Sequence, residues 1–229
     1  MEPKGILPDR QPLTLEHIAG RIKAYRPQER RDHLAQDFAD AALRPAAILI
    51  ALMLHEEGLS ILFTKRTAHL PHHANQVSFP GGKTEAGDPD AIFTALREAQ
   101  EEIGLDPENA HILGTLDRYI TISGFIITPV VAVVMPQAWQ ANPSEVAHIF
   151  EVPLEFILSP GAIDLRQAAG PDGIARNFYA LPWQEEIIWG ATAGMLKNLV
   201  EMLLQEEIQP EQKVETATPR VSPGRAGQP

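Results

Sequence analysis

Three glutamates, Glu98, Glu101 and Glu102, follow closely on the glycine turn Phe79-Pro80-Gly81-Gly82. If residues 89–104 form a helix, the three share one stripe beside an apolar face of Ile92, Ala95, Ala99 and Ile103. Like charges three and four residues apart each cost an isolated helix roughly a few tenths of a kcal/mol, and no lysine is interleaved here. A solvated acidic face would explain the glutamates but not the adjacent turn. A divalent-metal site explains both: Glu98 and Glu102, one turn apart, can share a hard cation, and Glu101 can reach a second cation or a bound water. Oxygen ligands select Mg²⁺ or Mn²⁺. Magnesium keeps waters and takes substrate phosphate oxygens, so the stripe predicts a phosphate-bearing substrate. No calcium loop of the EF-hand pattern is present.

The elements that would position this stripe follow from periodicity and punctuation. Thr14 caps a helix over 14–26 with apolar residues Leu15, Ile18 and Ile22. AAILIALML (46–54) reads as a buried strand and LSILFTKR (59–66) as its hairpin return. A long loop with one short strand leads to the glycine turn. Asp88 is the expected N-cap of the glutamate helix, with Pro89 at its first position and Gly104 at its end. Further strands are expected at 111–118 and 125–134. A strand-to-helix step is expected at 150–158, a strand over ARNFYALPW, and one long helix over 185–205. Hairpins mixed with helices point to an α/β domain with a mixed sheet between helices. The expected organisation is an N-terminal arm with a short helix (1–30), a main domain (31–205) and a disordered tail (206–229).

Composition sets outer bounds. The chain has 229 residues and no cysteine, which excludes disulfides, thiolate metal sites and cysteine nucleophiles. The N-terminus lacks an apolar signal region, and no apolar run is long enough to span a bilayer as a helix. The absence of these signals makes a cytoplasmic location the expectation. A net charge of −11 argues against nucleic acid as a partner. A small anionic substrate would then need metal ions or a few placed Arg and Lys side chains. Oligomeric state is left open, with a homodimer among the options.

The stretch REAQEEIGL resembles the second half of the Nudix box, G-x5-E-x7-R-E-U-x-E-E-x-G-U, through Arg97, Glu98, Ala99, Glu101, Glu102, Gly104 and Leu105. The first half departs: the acid is Asp88 and eight residues separate it from Arg97. Both departures resemble the coenzyme A pyrophosphatase branch, as does the preceding LFTKRTAHLPHHANQVSFPGG (62–82). In that branch's pattern Pro71 stands where Arg is usual and Asn75 where Gly is usual. Asn tolerates positive φ, so Asn75 is expected to keep the turn. Pro71 cannot clamp a phosphate, so either Lys65, Arg66 or a nearby His compensates or affinity falls.

The resemblance implies a Nudix α/β/α sandwich and metal-dependent hydrolysis of the pyrophosphate of coenzyme A to 4′-phosphopantetheine and adenosine 3′,5′-bisphosphate. It implies Glu98, Glu102 and Glu101 as metal ligands, with the Gly81 carbonyl as a further one. Glu98, Glu101, Glu102 and Arg97 make up the catalytic set, in which Arg97 pairs with a carboxylate and holds the loop. Arg66, Lys65, His73, Gly81 and Gly82 are the candidate substrate-binding residues. His69, His72 and His73 are either phosphate contacts or a polar loop, and Asp88 is either a cap or a loop brace. Trp183 and Trp189 are expected in the core. Two alternatives stay open: a Nudix enzyme for ADP-ribose, NADH or another nucleoside diphosphate derivative, and a non-catalytic binding module.

Overall fold

A computed structural model of the chain describes residues 13–31, 43–70, 73–169 and 175–204. Pro71, His72 and the expected tail lie outside the described residues. The central strand β2 (Arg44–His55) is buried on both faces from Ala46 through Met53. Its alternating side chains divide the molecule in two. Ala47, Leu49, Ala51 and Met53 face helix α2 (Ala91–Ile103), meeting Ala95, Ala99 and Ile103. Ile48, Ile50 and Leu52 face the opposite core, where α1 (Leu15–Ala24) contributes Ile18 and Ile22 and α4 (Ala191–Leu204) contributes Leu196, Leu199 and Leu203.

Around β2 a nine-stranded mixed sheet assembles. Strand β8 (Phe125–Val134) runs parallel to β2, and β3 (Gly58–Arg66) returns antiparallel through the expected hairpin. Outside β8 lie β7 (Arg118–Ile120) and then β1 (Glu29–Arg31); β4 (Val77–Ser78) borders β3. Three strands pair alongside this path: β5 (Gly81–Lys83) on β2, β6 (Ala110–Thr115) on β8, and β9 (Val146–Pro153) on β3. Strand β9 passes into the short helix α3 (Leu154–Leu158). A separate three-stranded antiparallel sheet comprises β10 (Asp164–Ala169), β11 (Ala175–Trp183) and β12 (Glu186–Trp189). Helices on both sides of a mixed sheet make this the expected α/β sandwich.

Several expectations need correction. The N-cap of α2 is Asp90, which accepts from Phe93 N at 2.8 Å, and not Asp88, which is engaged elsewhere. The region 185–205 is not one helix. Gly190, at φ +65°, separates β12 from α4, and in β12 Ile188 is buried while Ile187 and Trp189 on either side are exposed, a period of two. Trp189 is therefore not a core residue; it is 44% exposed and meets Phe178 edge-on, whereas Trp183 packs against Phe156. The expected strand at 111–118 is broken between β6 and β7 by the buried Asp117. Asn75 does take positive φ (59°), as does His73 beside it (58°).

Candidate active site

Small residues bring α2 down onto the sheet. Ala95 and Ala99 rest against Ala47 and Ala51, all fully buried. This approach sets Glu98 and Glu102 against the glycine turn. A Cβ on Gly82 would collide with the Glu98 carboxylate, and one on Gly81 would collide with the backbone of Ala47 and Ile48. Gly81 also takes φ +150°. The two glycines are thus required by space at both and by backbone conformation at Gly81.

The three glutamates do not share one environment. At 100° per residue, Glu101 and Glu102 diverge to opposite sides of Glu98. Glu102 turns inward and its side chain is 5% exposed; Glu98 is 17% exposed and Glu101 56%. Glu102 accepts from Gly81 N at 3.2 Å and lies 3.9 Å from the Arg66 guanidinium. Burial, only partly offset by these two, pushes its carboxyl up to about 8. Burial also raises Glu98, against the lowering effect of Arg97.

Arg97 ties the stripe to the loop. It pairs with Asp88 (3.0 Å), Glu98 (3.0 Å) and Glu101 (3.3 Å), and donates to Lys83 O at 3.1 Å. The repulsion within the stripe is therefore relieved by Arg97, without interleaved lysines. Asp88 is the loop brace: it takes both Nε and Nη2 of Arg97, Thr94 Oγ1 and Glu85 N. The Arg97 guanidinium lowers its carboxyl to about 2.

Arg66 ends β3 beside Glu102 because a register shift at Lys65/Arg66 re-aims the strand end. Its Nε is buried and has no hydrogen-bond partner, leaving a donor for an anionic oxygen. Lys65 is not brought to this site. Its ammonium pairs with Glu186 at 2.8 Å, and the pleat turns it away from Arg66. Exposed His73 bonds Gln76 Oε1 at 2.8 Å within its turn, and His69 contacts Ser144 O at 3.2 Å.

One acidic residue was not singled out from the sequence. The charge of Glu145 raises both Glu98 and Glu102, so it faces the same site. It is held by the turn 142–145, where Asn142 N donates to Glu102 O at 2.9 Å and Thr67 N to Glu145 O at 2.9 Å. No spacing rule links it to α2; the nearest signal is the Asn-Pro-Ser turn ahead of a strand.

Among the described residues no three His, Asp or Glu side chains are already gathered tightly about one point. The donor set nevertheless suits a hard divalent cation. Glu98, Glu102 and Glu145 supply oxygen only, and two of them are raised in proton affinity by burial and mutual charge, which a bound cation would reverse.

Comparison with known proteins identifies the family. The family model described as the NUDIX domain matches residues 43–169. A protein of Cronobacter sakazakii named "Uncharacterized Nudix hydrolase NudL" is 36% identical over 195 residues, covering 83% of this chain and 95% of its own length. The protein of the same name from Salmonella typhimurium is 34% identical with the same coverage. Among solved structures, RenU, a Nudix hydrolase from M. smegmatis, aligns with a TM-score of 0.42 and 23% identity over 49% of this chain and 72% of that one. No helix among the described residues is long and apolar enough to cross a membrane. With its carboxylate helix lodged on a double-glycine turn, this chain belongs to the Nudix hydrolase family.

Proposed function

We propose that this Nudix hydrolase cleaves the pyrophosphate bond of coenzyme A, or of its acyl or oxidised derivatives. Hydrolysis adds water across one P–O bond of the anhydride, releasing 4′-phosphopantetheine and adenosine 3′,5′-bisphosphate. The observation that carries this reading is Arg66: the residue retained from the coenzyme A pyrophosphatase pattern ends beside Glu102 with a buried, unpartnered Nε. A guanidinium at that point can take a phosphate oxygen next to the carboxylates.

Glu98, Glu102 and Glu145 would hold Mg²⁺ or Mn²⁺, with Glu101 a further candidate at the exposed rim. Such an ion, when bound, offsets the negative charge of carboxylates and phosphates and acidifies a water. The chain's own contributions are distinct. Glu102, raised to about 8, holds its proton near neutral pH in the metal-free chain and would release it on taking the cation. Arg97 and Asp88 keep the loop against α2, so that Gly81 and Gly82 leave room for phosphates at the mouth.

The second reading, a hydrolase for ADP-ribose, NADH or another nucleoside diphosphate derivative, is favoured by Pro71 in place of the usual arginine. Coenzyme A, acetyl-coenzyme A, ADP-ribose and NADH assayed side by side, with Mg²⁺ and with Mn²⁺ and products identified by mass, decide between them. The expected result is the highest kcat/KM on a coenzyme A species. A clear preference for ADP-ribose or NADH would overturn it.

A further inference from the structure

On a chain of net charge −11, Arg44 and Lys83 are exposed cations that no carboxylate among the described residues pairs with. Both are drawn to one aromatic ring: the Arg44 guanidinium lies 4.0 Å from the Phe125 ring centre and Lys83 Nζ 6.0 Å from it. Arg44 is fixed further by donating to Ser123 O at 2.8 Å. The ring face attracts each cation, but the two cations repel one another, and an anion between them would relieve that repulsion.

Topology puts this cluster at the catalytic end of the sheet. Arg44 and Phe125 are register partners at the starts of the parallel strands β2 and β8. Strand β3 runs the other way, so its last residue, Arg66, lies at the same end. In β5, Gly82 pairs with Ala47 and meets Glu98 on the α2 side, while Lys83 pairs with Ala46 and faces the opposite side. A ligand joining the two would cross the end of the sheet at β5, from the α2 side where Gly82 meets Glu98 to the side on which Lys83 and Arg44 lie.

We propose that Arg44 and Lys83, held about Phe125, form a second anion subsite that takes a phosphate monoester on the nucleoside half of the substrate. The inference rests on the reading of the substrate as a nucleoside diphosphate derivative, and narrows it to one with a further phosphate. In coenzyme A that group is the 3′-phosphate, which ADP-ribose and NADH lack.

Two measurements test it. The first is calorimetric titration of metal-free protein with adenosine 3′,5′-bisphosphate and with AMP. The bisphosphate is expected to bind about tenfold more tightly, and the double variant Arg44→Gln/Lys83→Gln to bring the two affinities together. Equal affinities in the wild type, or a preference that survives in the double variant, would overturn the subsite. The second is the ratio of kcat/KM for coenzyme A to that for 3′-dephospho-coenzyme A with Mg²⁺. A ratio of roughly ten or more, set by KM and collapsing in the double variant, supports the subsite. Proportional losses on both substrates would mean a merely structural role for the pair, and overturn it. A binding preference without turnover of either compound sustains the subsite and sinks the coenzyme A hydrolysis reading. Turnover of both without preference does the reverse.

Discussion

Asp117 and Glu102 are both buried carboxylates, 1% and 5% exposed, yet their surroundings push them in opposite directions. Asp117 lies on the α1 and α4 side of the sheet and is fully partnered. It accepts from Tyr25 OH at 2.7 Å, Gln28 N at 2.7 Å and Arg30 Nε at 2.5 Å. Those donors outweigh burial and lower its carboxyl. Glu102 has one backbone N–H and a guanidinium at 3.9 Å, and burial wins. A carboxylate whose partners all come from the chain ties elements together. One left short of partners in a water-poor site is built for something the chain does not itself supply.

The largest effects come from exchanging the two. Glu102→Gln should cost roughly a thousandfold in kcat/KM while leaving the melting temperature at pH 8 equal to or above that of the wild type. Asp117→Asn should do the opposite: hydrolysis within about threefold, with about 2 kcal/mol lost in denaturant unfolding. If both variants lose activity and stability alike, the distinction fails.

The same contrast has opposite signs in pH. Glu102 is raised from 4.5 to about 8 in the folded chain. Between those values the native state holds a proton that the unfolded chain has released, so stability falls as pH rises through the window. The loss is on the order of a few kcal/mol once pH exceeds 8. Metal-free melting curves from pH 5 to 8 should show this fall, Glu102→Gln should flatten it, and Mg²⁺ should restore the stability lost. Asp117, lowered from 3.8, contributes stability that is present above that value and lost as pH falls through its lower folded value.

Smaller changes sharpen the picture further. Gly82→Ala sets a methyl group against the Glu98 carboxylate, and steady-state kinetics should show a loss of about 10–100-fold with the fold retained. Lys65→Gln, on the far side of the sheet, should leave kcat/KM within about twofold and cost under about 1 kcal/mol.

What the sequence made legible was whatever depends on local periodicity. The hairpin, the glutamate helix, the Thr14 cap and the positive φ of Asn75 are each specified by neighbouring residues. The α2 stripe was readable for the same reason, since a wheel needs only spacing. Glu145 was not, because a turn on a distant segment delivers it through backbone bonds to Glu102 and Thr67. Residues 186–189 misled because apolar residues leading into a true helix extend a helical pattern. Only pairing with β11 shows the period of two. Lys65 and Arg66 are adjacent in sequence, and the pleat with its bulge decides which one faces the carboxylates.

The alanine contact between α2 and β2 has a consequence of its own. Alanine has no side-chain torsion to change, so Ala47, Ala51, Ala95 and Ala99 cannot adjust by hopping between rotamers, and ordering them costs no side-chain entropy. The helix therefore rests on a stop with no slack, and its glutamates inherit the precision of the backbone. Variation in what the enzyme accepts has to come from the surrounding loops and strand ends, while the seam beneath the carboxylates stays fixed.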